Sequence, residues 1–357
     1  MEALKKILTI PMVIAIMMVT LADCNKKAVS TISEPKKTVK VVVLLIDFTD
    51  DYISLVRENL EEIQKQNQCK VEFTFYDGKS DQAIQSEELS KVLQEGVDLI
   101  LLNIINNRDN ATVQSVINSI KETNTPVILF NREPLTTDAI RSYPKALYIG
   151  TDSREAGILQ GQILINAWNN DKQAIDRNGD NIMQYIMLEG DRGNIEAIER
   201  TKYSVLTVQQ AGIKTEELEL RFCDWNTELA KSTTESLFLK YGDKIEVIIA
   251  NDDSMAVGAV EALQKYNYNK GDRSRTVEVV GVDALQEVRD LISKGIMLGS
   301  VVQDPKALAE ALYTCGMNLV NNKSAIDGTN YKFDDTGVSI RIPFGPYVMY
   351  GDNEKVK

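Results

Sequence analysis

The chain has 357 residues, 43% of them hydrophobic, with 52 acidic against 40 basic side chains and a formal net charge of −12. That length supports two domains with separate cores, and the acidic balance argues against a nucleic-acid partner, which calls for a basic face. Histidine is absent, which excludes Ser-His-Asp and Cys-His nucleophile systems and every His-ligated metal site.

Lys5 and Lys6 precede an apolar run from Ile7 to Ala22. The run is short for a membrane span and suits the core of a signal peptide, so residues 1–23 are predicted to be a signal sequence. It ends in Leu21-Ala22-Asp23-Cys24, which looks like a lipobox. Cys24 is the candidate for lipidation as the mature N-terminus; without lipidation it is a plain residue beside the signal. The Lys/Ser/Thr-rich residues 24–39 read as a flexible tether, and the expected location is extracytoplasmic, either membrane-anchored or periplasmic.

From Lys40 onward, short apolar strands alternate with amphipathic helices. Strands are predicted at Val41–Ile46, Val71–Tyr76, Asp98–Leu102 and Pro126–Phe130, with helices at Asp51–Lys65, Asp81–Gln94 and Val113–Glu122 between them. A second set follows: strand Leu147–Ile149, helix Glu155–Trp168, strand Tyr185–Glu189, helix Glu196–Gln210, a strand around Leu218, helix Thr227–Tyr241, strand Ile245–Ala250, helix Ser254–Lys265 and strand Val277–Val282. The strands are almost continuously apolar, as when helices cover both faces of a parallel sheet. The expected class is α/β, with two doubly wound, flavodoxin-like parallel-sheet domains. No Gly-x-Gly-x-x-Gly follows a strand and there is no Walker loop, so nucleotide binding has no support. Cys24, Cys69, Cys223 and Cys315 form no C-x-x-C pair, and the last three read as small buried hydrophobes.

The stretch from Asp176 to Gln184 alternates oxygen-bearing side chains before a strand. Hard cations such as Ca²⁺ take about six to eight oxygens, and loops of this kind supply them from positions 1, 3, 5, 7 and 9. Asp176, Asn178, Asp180, the Ile182 carbonyl and Gln184 occupy those positions. Asn181 stands at position 6, where a left-handed backbone is needed. Position 12, a bidentate Glu in an EF-hand, is Met187, so a further carboxylate has to come from elsewhere. The alternative is a polar surface turn.

Ligands of doubly wound sheets sit beyond the carboxyl ends of the strands. Those ends carry Asp50, Asn131, Asp252 and Asp283, and Glu196 and Arg200 are further polar candidates. Planar bidentate groups match adjacent sugar hydroxyls, and aromatic rings cover the C–H faces of a pyranose. Tyr52 and Trp225 are candidate plates; alternatively Trp225 is a core anchor and Tyr52 a helix-start residue. Asp and Asn at strand ends are also common helix N-caps.

From about Lys40 to Tyr347 the chain resembles the periplasmic galactose/glucose-binding proteins of the type I sugar-binding family. The resemblance is carried by the phrases D-D-Y-I-S-L-V-R, V-I-L-F-N-R-E-P, Y-I-G-T-D-S-R-E-A-G-I-L-Q-G, A-G-I-K-T-E-E-L-E-L, A-N-D-D-S-M-A-V-G-A-V-E-A-L, V-V-G-V-D-A-L and A-I-D-G-T-N-Y-K. It implies the type I periplasmic binding protein fold, with a three-segment hinge near Ile149–Ser153, Gln303–Pro305 and Arg341–Pro343. It implies an N-terminal lobe of residues 40–149 plus 305–340 and a C-terminal lobe of 152–302 plus 343–357. By the same resemblance Asp50, Tyr52, Asn131, Arg200, Trp225 and Asp283 contact sugar, and Glu246 closes a structural calcium site with the loop oxygens. The chain departs from the family at Ile46, Asn194, Glu196, Asp252 and Gln303, so its sugar is expected to differ, with a pentose such as xylose or a differently oriented hexose as candidates.

The function implied is a non-enzymatic monosaccharide-binding lipoprotein, expected as a monomer, that delivers sugar to a membrane ABC permease by hinge closure. The alternative is a sugar sensor whose closed form engages a membrane histidine kinase or receptor. A glycosidase is disfavoured because the carboxylates are spread over both lobes as hydrogen-bonding partners, not paired as acid and nucleophile. A related DNA-binding repressor is excluded because the signal sequence stands where a helix-turn-helix would be.

Overall fold

The computed structural model describes residues 37–349. The signal sequence, Cys24, most of the tether and residues 350–357 lie outside the described residues. In chain order the first elements are β1 (Val39–Leu45), α1 (Asp51–Gln66), β2 (Val71–Asp77), α2 (Gln82–Glu95), β3 (Leu99–Leu102), α3 (Asn110–Glu122), β4 (Val127–Phe130), α4 (Asp138–Arg141) and β5 (Ala146–Gly150). Next come α5 (Ser153–Asn170), α6 (Lys172–Ile175), β6 (Ile182–Glu189), α7 (Ile195–Gln210), β7 (Lys214–Phe222), α8 (Thr227–Tyr241), β8 (Val247–Ala250), α9 (Asp253–Lys265), β9 (Glu278–Asp283), α10 (Gln286–Ser293) and β10 (Gly299–Val302). The chain closes with α11 (Pro305–Val320), β11 (Ser339–Arg341) and β12 (Gly345–Val348).

Two six-stranded sheets result, ordered β11-β5-β4-β3-β1-β2 and β12-β10-β9-β8-β6-β7. The pairings are parallel except for β12, which runs antiparallel to β10. The alternation along β1 shows why the strands read as unbroken apolar runs. Val41, Val43 and Leu45 pack in the core that holds Ile53 and Val56 of α1 and Leu308 and Leu312 of α11. Val42 and Leu44 face the opposite core, with Leu89 of α2 and Val113 and Ile117 of α3. Successive side chains of a strand point to opposite faces, so a sheet covered on both sides needs apolar residues at every position. Each such side chain, once buried, contributes about 1.5–3 kcal/mol over remaining exposed.

The chain leaves the first sheet after Gly150, returns through α11 and β11, and crosses again to β12. Arg341 braces these crossings. Its guanidinium donates to both carboxylate oxygens of Glu133 at 2.7 and 2.6 Å, to the Thr151 carbonyl at 2.9 Å and to Asp334 at 2.9 Å. Strands β10, β11 and β12 and helix α10 had no sequence signal of their own. The three strands span three or four residues each and carry Gly, Ser, Arg or Pro, so they lack the unbroken apolar run that marks β3, β4 and β8.

One cysteine expectation is corrected. Cys223 and Cys315 are buried, but Cys69 is exposed. It sits in the turn between α1 and β2 with a left-handed backbone, φ 63°, so apolar character did not decide its place. Burial pushes the Cys223 and Cys315 thiols up to about 11 and about 12, which leaves both inert as nucleophiles. Among the described residues no helix is long and apolar enough to cross a membrane.

Candidate functional site

The strand tips of both sheets open into one cleft of about 1040 Å³. Asp50 is the N-cap of α1, its carboxylate accepting from the Ile53 N–H at 2.7 Å, and Tyr52 lies in the first turn of that helix. Asn194 caps α7 by accepting from the Ala197 N–H at 3.0 Å, which aims Glu196 and Arg200 of the same helix inward. Asp252 caps α9, accepting from the Met255 N–H at 2.8 Å. Asp50, Asn194 and Asp252 thus both cap helices and line the cleft, while Asn131 and Asp283 line it without capping a helix.

Strain concentrates at the same place. Asn131, Asp224, Trp225, Asp283 and Ala284 all have positive φ, with Asp283 at 113°. Such backbone costs on the order of 1–3 kcal/mol per residue and persists where the surroundings impose it, often at binding sites. Trp225 also depends on a glycine. A Cβ added at Gly190 would lie 2.3 Å from the indole, so the missing side chain is what lets the ring occupy the cleft wall.

Every residue singled out for sugar contact lines this one cleft: Asp50, Tyr52, Asn131, Asn194, Glu196, Arg200, Trp225, Asp252, Asp283 and Gln303. Ile46 lines it too. Sequence reasoning missed Asp51, Arg108, Arg132, Asp191 and Ser254, which also line it. Arg132 adjoins Asn131 and was within reach of the strand-tip argument. Arg108 and Asp191 lie in loops with no pattern to mark them.

Several of these residues join the two lobes. Glu196 accepts from the Glu133 N–H at 2.8 Å, and Ser254 donates to Asp51 at 2.6 Å. Asp191 takes Arg132 at 3.6 Å and Arg108 at 3.8 Å, and Arg108 also donates to the Arg192 carbonyl. Inside this rim, Arg200 donates to the Asn251 carbonyl at 2.8 Å and to Gln303 Oε1 at 2.9 Å. Its guanidinium lies 5.8 Å from the Trp225 ring and 5.9 Å from that of Phe344.

Polar capacity is left over. Glu196 Oε2, Arg132 Nε and Arg200 Nε are buried with no hydrogen-bond partner. A buried unsatisfied polar group costs about 1–3 kcal/mol, so these atoms mark where a polar ligand fits. Burial pushes the carboxyls of Asp50, Glu196 and Asp283 above their ordinary range and that of Asp252 up to about 7. Burial raises the Tyr52 phenol as well, which keeps it neutral.

The alternating loop adopts the backbone expected of it, with φ 64° at Asn181 and 72° at Gly179. Its donors lie together but are tied to one another. Asp180 accepts from the Ile182 N–H at 2.8 Å and from the amides of Asn178 at 3.0 Å and Gln184 at 2.8 Å. Glu246 reaches the same loop, accepting from the N–H groups of Arg177 at 3.0 Å and Gln184 at 3.1 Å. Burial, with the neighbouring Asp176 charge adding to it, pushes Glu246 up to about 7. Asp176 Oδ1 is buried without a partner, while Lys172 stands 3.8 Å from its other oxygen. Among the described residues no three Asp, Glu, Cys or His side chains converge as a metal centre. The donor set is oxygen-only, as hard cations require, and the orphaned Asp176 oxygen fits one.

The profile of the periplasmic binding protein domain matches residues 41–324. The chain is 33% identical over 308 residues to the D-galactose/methyl-galactoside binding periplasmic protein MglB of Haemophilus influenzae, covering 85% of this chain and 88% of that one. Among solved structures it is similar to an ABC transporter periplasmic solute binding protein from Actinobacillus succinogenes with bound D-allose. That likeness has a TM-score of 0.72 at 17% identity and covers 87% of this chain and 98% of the other. A solute binding protein from Bacillus halodurans with bound myo-inositol gives a TM-score of 0.70 at 20% identity, over 88% and 96% of the two chains.

Proposed function

The chain belongs to the periplasmic binding protein family, and we propose that it is an extracytoplasmic monosaccharide-binding protein that serves an ABC importer by hinge closure. The observation that carries this reading is the cleft between the lobes. Its walls combine two aromatic rings, Tyr52 and Trp225, with planar polar groups from both sheets, and four of its buried polar atoms, Tyr52 Oη, Arg132 Nε, Glu196 Oε2 and Arg200 Nε, lack a protein partner. The relative in Haemophilus influenzae, which binds galactose and methyl-galactoside by its name, supports the carbohydrate class.

Binding follows from the parts. A pyranose between Tyr52 and Trp225 buries its C–H faces, and its hydroxyls meet Asp50, Asn131, Asn194, Arg200, Asp252, Asp283 and Gln303. Because groups from both lobes contact one ligand, the closed state binds it more tightly and gains population with occupancy. A membrane permease that distinguishes the closed from the open form then reads occupancy. The role is binding without turnover: no residue here is assigned a covalent or acid–base step.

Asp176, Asn178, Asp180, the Ile182 carbonyl, Gln184 and Glu246 would hold Ca²⁺, which supplies a cross-link between the loop and β8 and no chemistry at the sugar. Lipidation of Cys24 would tether the protein to the membrane and is part of the same proposal. The test of the function is a thermal-shift and calorimetric screen of monosaccharides and cyclitols, including glucose, galactose, xylose, arabinose and amino derivatives, with added Ca²⁺. At least one is expected to bind saturably and to raise the melting temperature. Absence of any shift across the panel would overturn the reading.

A further inference from the structure

The cleft holds more buried negative charge than its own cations neutralise. Asp50, Glu196, Asp252 and Asp283 all line it, with Asp252 only 7% and Glu196 only 9% exposed. The charges of Arg132 and Arg200 hold these carboxyls down in part, but neither guanidinium makes an ion pair with them. Arg200 directs its terminal nitrogens to the Asn251 carbonyl and Gln303, and Arg132 and Arg108 take Asp191. Lys79 is exposed at the mouth. Among the described residues none of the four carboxylates makes an ion pair, and a buried charge without a partner is costly.

A second observation is an unpartnered carboxylate oxygen in the same cleft. Glu196 gives one oxygen to the Glu133 N–H across the cleft, and its other oxygen is buried with no partner. Burial raises Asp252, and the neighbouring Asp50 and Asp51 charges push it the same way against the opposing charge of Arg200; an incoming cation would relieve that repulsion.

We infer that the ligand of this cleft carries a protonated amine: an amino sugar or amino polyol whose ammonium group sits among Asp252, Asp50 and Asp283. The inference rests on the carbohydrate reading above and narrows it to a charged class. An ammonium donates up to three hydrogen bonds to carboxylates and accepts none. Bonds between ionised partners are about twice as strong as neutral ones. Replacing one hydroxyl of a hexose by such a group is therefore expected to tighten binding about tenfold or more.

The experiment is calorimetric titration of the whole protein near neutral pH with glucosamine, galactosamine and an aminocyclitol, each against its parent hydroxyl compound and, for the hexosamines, the N-acetyl derivative. The expected result is at least about a tenfold preference for one free amine over its parent, lost on N-acetylation and erased when the pH is raised until the amine is neutral. Asp252→Asn is expected to remove the preference mainly by weakening the amine. Neutral parents binding as tightly as every amine would overturn the inference and leave the carbohydrate reading standing. Failure of all carbohydrates and polyols to bind would overturn both.

Discussion

At the scale of single residues, Trp225 and its neighbour Gly190 make the sharpest prediction. The indole occupies the wall only because Gly190 has no Cβ. Trp225→Ala should weaken sugar binding about 10–100-fold, or roughly 1.4–2.7 kcal/mol, by calorimetry. Gly190→Ala should weaken it too, by displacing the ring, and should quench or shift the tryptophan fluorescence change on binding. Asp252 carries a pH prediction. Its folded carboxyl is raised to about 7, against an unfolded value of about 3.9. A raised carboxyl contributes stability that is present below the unfolded value and lost as pH rises through the folded one. The sugar-free protein should therefore lose stability as pH rises from about 4 to about 7, at up to about 1.4 kcal/mol per pH unit for this group. Asp252→Asn should flatten that slope in thermal melts, and an unchanged slope would remove Asp252 as its source.

At the scale of elements, the alternating loop and β8 depend on each other through Glu246. Its carboxylate satisfies the N–H groups of Arg177 and Gln184, so Glu246→Ala leaves two donors unpaired and should cost about 2–4 kcal/mol. If the loop holds Ca²⁺, a chelator lowers the melting temperature of the native protein and leaves that of Glu246→Gln nearly unchanged. Equal melts with and without chelator in the native protein would argue for a loop held by its own hydrogen bonds. Lys172, 3.8 Å from Asp176, stands where it would oppose a divalent cation. Lys172→Met should raise Ca²⁺ affinity in the same titration. The helix termini follow a simpler rule, since Asp81, Asp109, Asp152 and Asp304 each cap a helix through the side chain.

At the scale of the whole molecule, closure is the proposed output, and Arg341 is where the proposal can be tested. It ties β11 to Glu133 and to the first crossing at Thr151. Arg341→Ala should cost about 1–3 kcal/mol of stability and should alter sugar affinity without touching the cleft. Small-angle scattering of the native protein should show a smaller radius of gyration with ligand than without. An equal radius in both states would remove hinge closure from the mechanism.

The strands, the helices and the two-sheet class were legible in the residues because their causes are local. Apolar runs such as Val41–Leu45, caps such as Asp81, and the left-handed Asn181 each act within a few positions. The site residues were legible one at a time, as Asp50, Asn131, Asp252 and Asp283 at strand tips, and their ligand roles rested on resemblance. Their convergence was implied by the strand-tip rule and the resemblance; the contacts made there, and the charge left without an ion pair, belonged to the tertiary structure. Ser254 and Asp51 meet although 203 positions apart, and Glu196 reaches the Glu133 N–H across 63. Sheet order and the apposition of two lobes decide such meetings, and neither is a periodicity that a sequence displays. Cys69 makes the same point in reverse: its composition suggests the interior, and the backbone of a single turn holds it in water.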